Sequence, residues 1–435
     1  MTETATPQAI PADRPTPLAT MLAQLAAPQV AIFPGAMKSM RANSEQLAAP
    51  QVPYRGVLTP RELDAPQKET AALVSAAAVH DLGWLRRVAV RGEDRFRWLS
   101  GMVTNTVNDL AINAGAWNLV LNAQGRIQGD LHVGREGDKL ELTIAADQYD
   151  RLLAHLERFI IMDDVVLTPL SVNANGELNE DSALGLSGPL AGNVLARLGL
   201  PTLAESMTST LAAWNGQQLR VVRGYSVLVP HYELWVRATE IPTLWQALVE
   251  AGANPVGAAT LDALRIAEGI PAYGIDIAER DLPQEVAPQV ATLPGATKSV
   301  RANSEQLAPP LVALSFNKGC YLGQEVVERI HSRGSVHRHL RPLELSGPVP
   351  AAGTELILEG GAIAGQITSA AELPLPSGSR VFALGMIRGE AELSPQRQRP
   401  VAGNPEPHNQ PFTYSVGSAT GAARILVAPP KLEDG

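Results

Sequence analysis

The 435-residue sequence predicts an α+β body followed by a small all-β domain. Two observations predict it. Between about residues 81 and 336, strand-like runs broken by glycine turns alternate with amphipathic stretches of helical period. From His337 onward that period disappears, and short strands separated by Gly and Pro remain, the pattern of a small barrel or sandwich. The length allows two or three domains, each burying its own core. A hydrophobic fraction of 45% with 18% charged residues is ordinary for a soluble globular protein. The formal net charge of −9 supplies no basic field for gripping phosphates, so no direct nucleic-acid partner is expected.

Residues 1–80 are rich in Ala, Pro, Thr and Gln without sustained period, and a mostly disordered arm is expected there. The first thirty residues carry prolines and acids where a signal peptide needs a basic start and an apolar core. No window approaches the roughly 18 apolar residues of a membrane helix. The single cysteine, Cys320, cannot form an internal disulfide. Together these place the chain in the cytoplasm, without a membrane partner. Ala27–Val52 recurs as Ala287–Val312, with 20 of 26 positions identical. One pair so far apart is no solenoid. Its prolines resist regular structure, and it reads as a duplicated surface insertion (286–312 for the second copy) or as a short docking motif used twice.

In the body, "WLRRVAVRGEDRFRWLSGMVTN" runs from a strand through Gly92 into a short helix, and "AWNLVLNAQGRIQGDLHVGREGDKLELTIAA" reads as strands joined by glycine turns. "QYDRLLAHLERFII" sets Leu152, Leu153, Leu156, Phe159 and Ile160 on one helical face. "IPTLWQALVEAGA" predicts a helix stopping near Gly252, and "TLDALRIAEGIPAYGIDI" one ended by Gly269 and Pro271. Strands such as "LRPLELSG", "VFALGMIRG" and "GAARILVAP" make up the β domain over 337–429, with 430–435 a tail.

The chemistry concentrates in "NKGCYLGQE", Asn317–Glu325. An isolated cysteine is usually a small buried hydrophobe. Here Lys318 precedes it, and a helix with Val326, Val327 and Ile330 on one face begins near Gly323, so an ammonium and a helix N-terminus both favour the thiolate of Cys320. His331, His337 and His339 lie close in sequence, but their spacing fits no tight helical ligand pair and Arg333, Arg338 and Arg341 oppose a cation, so no metal is assigned. One cysteine cannot itself hold an iron–sulfur cluster. No Walker A sequence, nucleophile elbow or zinc-protease His-Glu pair is present.

"KGCYLGQE" matches the KGCYxGQE signature, and the chain thereby resembles the YgfZ family, folate-binding relatives of the glycine-cleavage T protein (aminomethyltransferase). "VVERIHSRGSVHR", "LRIAEGIPAYGIDIAERDLPQE", "GEDRFRWLSGMVTN" and "LNAQGRIQGDLHV" carry the same resemblance, over roughly residues 82–428. It implies a T-protein-like folate-binding body followed by a small β-barrel. It also implies tetrahydrofolate, or a one-carbon derivative, as cofactor, and a monomer serving iron–sulfur client enzymes or assembly factors, tRNA-modifying radical enzymes among them. By position the resemblance makes Cys320 and Lys318 the catalytic pair, with Tyr321, Gln324 and Glu325 beside them and Asp130 and Glu233 in the body contributing to the folate site. Arg265 lies in the counterpart of the T protein's folate-contacting segment and would offer a cation to the folate's glutamate tail, with Glu268 as its helix partner. Asp130 follows a glycine where the T protein has an acidic pair. In "GYSVLVPHYE", Gly224, Tyr225 and Glu233 are retained, while Val229 stands where the T protein has the glutamate that holds the pterin. That departure argues for an accessory protein in iron–sulfur cluster assembly or repair over an aminomethyltransferase. A tetrahydrofolate-dependent one-carbon transferase is the alternative, and a module that merely senses folate a third reading.

Overall fold

The computed structural model describes residues 14–26, 50–170, 181–286, 311–333, 336–392 and 411–432. Two antiparallel sheets form the body. One runs in the order Gly115–Leu121, Ile127–Glu136, Lys139–Ala145, Leu85–Arg91, Val166–Pro169. The other runs Thr208–Trp214, Gln217–Arg223, His231–Arg237, Asp181–Ser187, Ala78–Asp81, with Asn254–Val256 added parallel at the edge. Each sheet buries one face under helices. Leu152 and Leu156 of Ala146–Glu157 are fully buried on the first sheet, where Phe159 and Ile160, just past the helix end, also pack. Leu244, Trp245 and Leu248 of Ile241–Glu250 cover the second. Gly252 at φ +99° and Gly269 at φ +73° stop their helices as the sequence predicts, since a left-handed residue costs glycine nothing.

The β domain is a closed six-stranded barrel, ordered Arg338–Ser346, Gly378–Arg388, Ile363–Leu375, Glu355–Ile357, Phe412–Val416, Ala419–Ile425. It is fused to the body by shared apolar clusters, Leu264 and Ala267 packing with Leu373 and Phe382. Arg338 at its first strand also reaches back to Asp281 (2.7 Å) and Glu285 (2.9 Å).

The expectation of a mostly disordered arm up to residue 80 fails for residues 14–26 and 50–80. Pro17–Ala26 is a helix whose Leu18, Met21 and Leu22 recur at helical spacing and sink into the core of the second sheet. Thr16 Oγ donates to Asp81, and Thr59 Oγ donates to the same carboxylate at 2.8 Å. Gln51–Tyr54 and Val57–Pro60 form a hairpin, and Pro66–Ser75 a helix. A ten-residue helix inside an Ala/Pro-rich composition is too short to register as a sustained period. Leu18→Ala is expected to cost roughly 2–4 kcal/mol, read from the urea midpoint, because it empties a fully buried site. An unchanged midpoint would mean the segment adds nothing to the core.

Most of both repeat copies, 27–49 and 287–310, lies outside the described residues, and so does the expectation of an exposed insertion there. Val286 and Leu311, which bound the undescribed part of the second, are buried in one cluster.

Candidate functional site

Between the two body sheets lies a cleft of two adjoining lobes, about 240 and 230 Å³, which share Leu82, Trp84, Asp130, Tyr225, His231 and Pro271 among their walls. Asp130 is the residue best fixed in it. Gln148, buried on the covering helix, donates from Nε2 to Asp130 Oδ1 (2.9 Å) while its Oε1 accepts from the Asp130 amide (3.0 Å). Trp117 Nε1 donates to the other carboxylate oxygen at 3.0 Å. The preceding glycine has a physical reason: a Cβ at Gly129 would lie 2.6 Å from Gln148 Oε1 and push that side chain away. Each carboxylate oxygen takes one neutral donor and keeps acceptor capacity for the cleft.

Glu233 lines the first lobe. Its Oε2 accepts from Trp235 Nε1 (2.8 Å), and burial raises the carboxyl's pKa, opposed by that bond and by Arg87. Arg265 lines the second lobe but does not pair with Glu268. It donates to Asp262 (2.7 Å), Asp276 (2.6 Å) and the carbonyl of Ile270 (3.2 Å), leaving Nη2 buried without a partner among the described residues. The i,i+3 expectation for Glu268 is therefore corrected. Glu268 lies at the helix end, where its Oε1 accepts from Ser226 Oγ and from the amides of Val227 and Leu228, both at 3.0 Å. Burial pushes its pKa up to about 7 against those three bonds. Spacing alone could not reveal that role, since the 226–228 loop comes from elsewhere in the chain.

The signature loop stands apart from the cleft, for none of Lys318, Cys320, Tyr321, Gln324 and Glu325 lines either lobe. Cys320 is exposed. Tyr321 is buried in the cluster containing Trp117 and Val327, Gln324 Oε1 accepts from its amide (3.2 Å), and Glu325 is an exposed first-turn residue of Gln324–Arg333. Lys318 sends its ammonium to the carbonyls of Val103 (2.6 Å) and Asn105 (2.7 Å), over the Tyr321 ring. It clamps the loop to the body. Burial lowers its pKa to about 8 from 10.5. The unfolded chain therefore binds more protons between those values, and stability rises with pH from about 8 toward 10.5. Lys318→Met should abolish that increment in urea midpoints measured from about pH 7 to 10; an identical pH profile would show that the ammonium is solvated in the folded protein. Among the described residues no three His, Cys, Asp or Glu side chains gather as metal ligands. His331 instead stacks on Phe316, centroids 3.9 Å apart.

A two-sheet body with an acid-bearing central cleft and an appended barrel defines a class: the T-protein-like proteins. The structure of the glycine cleavage system aminomethyltransferase T from Bartonella henselae superposes with a TM-score of 0.70 at 19% identity, covering 91% of this chain and 98% of that one. The model of the GCVT N-terminal domain matches residues 40–292, and the chain belongs to that family. The aminomethyltransferases of Rubrobacter xylanophilus and Thermus thermophilus are 26% identical over 365 residues and 25% over 350, covering 82% and 80% of this chain and 88% and 90% of theirs. A putative chloroplastic transferase of Arabidopsis thaliana is 24% identical over 322 residues, covering 74% of this chain and 67% of its own length. No helix among the described residues is long and apolar enough to cross a membrane.

Proposed function

We propose that this chain binds a reduced folate in the two-lobed cleft and transfers a one-carbon unit to or from it in the cytoplasm. The carrying observation is Asp130, held by Trp117 and Gln148 in a wall common to both lobes. The curated relatives are named aminomethyltransferases, which supports transfer chemistry over the accessory role that the sequence suggests. The lining fits a flat, polar heterocycle. Trp84 Nε1 and Arg265 Nη2 are buried donors without hydrogen-bond partners among the described residues, and both side chains line the second lobe. Such donors cost free energy until a ligand acceptor meets them. A reduced folate supplies the amine nitrogens that carry the one-carbon unit. Asp130 would accept from a ring N–H, and Glu268, whose pKa burial pushes up to about 7, would hold or release a proton in the second lobe. Val229, buried in that wall, gives no carboxylate, so orientation falls to the remaining polar groups.

The test is purified protein with tetrahydrofolate and an aminomethyl-lipoyl carrier. Methylene-tetrahydrofolate should form above the uncatalysed rate, and absence of turnover would remove the transferase reading. A second reading, an accessory role toward iron–sulfur client enzymes, draws on one observation: Cys320 is exposed on a loop that Lys318 clamps outside the cleft. Under it, a deletion strain regains iron–sulfur enzyme activity with the wild-type chain and not with Cys320→Ala.

A further inference from the structure

The cleft wall on the six-stranded sheet contains a chain of three side chains that neither Asp130 nor Glu268 uses. His231 stands opposite Ser187 in the antiparallel register, and His80, on the strand at the other side, stands opposite Gly185. Direct and diagonal neighbours on one sheet face are within reach of each other. His80 Nε2 lies 2.9 Å from Ser187 Oγ, which lies 2.9 Å from His231 Nδ1. The two rings are nearly parallel, 12° apart with centroids at 5.6 Å. Two glycines leave room for them: a Cβ at Gly185 would strike the His80 ring, and one at Gly224 would strike His231. His80 and Ser187 are each 2% exposed and line the second lobe, while His231 lines both lobes; of the two outer ring nitrogens only His80 Nδ1 is closed off from the cleft.

A proton inventory decides what the chain offers. Each neutral imidazole holds one N–H and the serine one O–H, three protons in all. Two occupy the two hydrogen bonds. The third sits on His80 Nδ1, on His231 Nε2 or, if both rings donate to the serine, on the Ser187 hydroxyl, which would then be a buried O–H without an acceptor among the described residues. His80 Nδ1 is buried without a partner among the described residues. An orphaned buried N–H is rarer in native structures than an under-used acceptor, so the proton belongs on His231, at the cleft. Burial holds both rings neutral at about pH 7, lowering the His231 pKa to about 4, with Arg223 adding to the effect, and that of His80 well below its ordinary value, with His231 adding to it.

We propose that Ser187 and His80 fix His231 in its Nε2–H tautomer, making His231 a specificity-determining donor that selects a flat heterocycle with a lactam carbonyl at that point of the cleft. The ligand's identity rests on the folate reading above; the tautomer rests on the chain alone. Ser187 and His80 are positioning residues.

Two measurements on the full chain test it. In nitrogen-15 NMR of histidine-labelled protein, with His231→Gln assigning the signals, Nε2 of His231 should be of the protonated, pyrrole type, and Ser187→Ala should give a tautomer mixture. A pyridine-type Nε2 in the wild type, or no change in Ser187→Ala, overturns the proposal. In binding measurements the wild type should prefer tetrahydrofolate about tenfold over its 4-amino-4-deoxy analogue, in which a donor replaces the carbonyl acceptor. His231→Phe should lose that preference, and His231→Gln, which keeps a donor at the ε position, should restore part of it. Equal preference in wild type and His231→Phe overturns this inference and leaves the folate reading standing. Failure of both compounds to bind the wild type overturns the folate reading, and the NMR result then decides the tautomer independently.

Discussion

Asp130→Asn is expected to lower turnover about a hundredfold or more while changing the Michaelis constant for the reduced folate far less. The substitution preserves size and removes the charge. Only one of the two side-chain atoms can then accept, so either the Trp117 or the Gln148 donor loses its partner. A positioned carboxylate that moves a proton or faces a developing positive charge contributes roughly 10²–10³ in rate, and most of that effect appears only in the transition state. Initial rates of methylene-tetrahydrofolate formation over a range of folate concentrations separate the two parameters. A Michaelis constant that rises about tenfold at unchanged turnover would reduce Asp130 to a binding residue, and no change in either would take it out of the site.

Glycine punctuation and apolar period made most of this architecture legible. Gly252, Gly269 and Gly323 are left-handed where helices stop or start, and the barrel's short strands were visible as runs between Gly and Pro. The Pro17–Ala26 helix was not, because its evidence for order lies in partners such as Asp81 and the Ile241–Glu250 helix rather than in its own composition. The site divides in the same way. Asp130, Glu233 and Arg265 could be found by motif and do line the cleft. The signature loop drew attention to Cys320 and Lys318, yet proximity in sequence did not place them at the cleft, and the ammonium expected to favour a thiolate is held by backbone carbonyls. His80, Ser187 and His231 are separated by 107 and 44 positions and meet only through strand pairing, which no linear spacing records.

Asp276→Ala, which removes the buried partner of the cleft-lining Arg265, is expected to cost about 3–5 kcal/mol in urea unfolding. Asp276 is 3% exposed and accepts from Arg265 Nη1 (2.6 Å), the Ala272 amide (3.0 Å) and the hydroxyls of Thr368 (2.7 Å) and Ser369 (2.6 Å). The last two lie on the barrel strand Ile363–Leu375, so one carboxylate ties the cleft's arginine to the C-terminal domain. Removing it strands a guanidinium that Asp262 alone then neutralises and leaves the Ser369 hydroxyl and the Ala272 amide without their acceptor, while the Thr368 hydroxyl keeps only the Leu384 carbonyl (3.1 Å). Asp276→Asn keeps one acceptor atom and should cost about half as much. Combining Asp276→Ala with Arg265→Met removes both charges, and the pair should cost clearly less than the sum of the single changes, as a coupled buried pair requires. Strict additivity, or a loss below about 1 kcal/mol for Asp276→Ala, would show that solvent reaches this junction. Folate affinity should fall with Asp276→Ala, because the Arg265 side chain, which lines the second lobe, is positioned by the bond its Nη1 makes to Asp276.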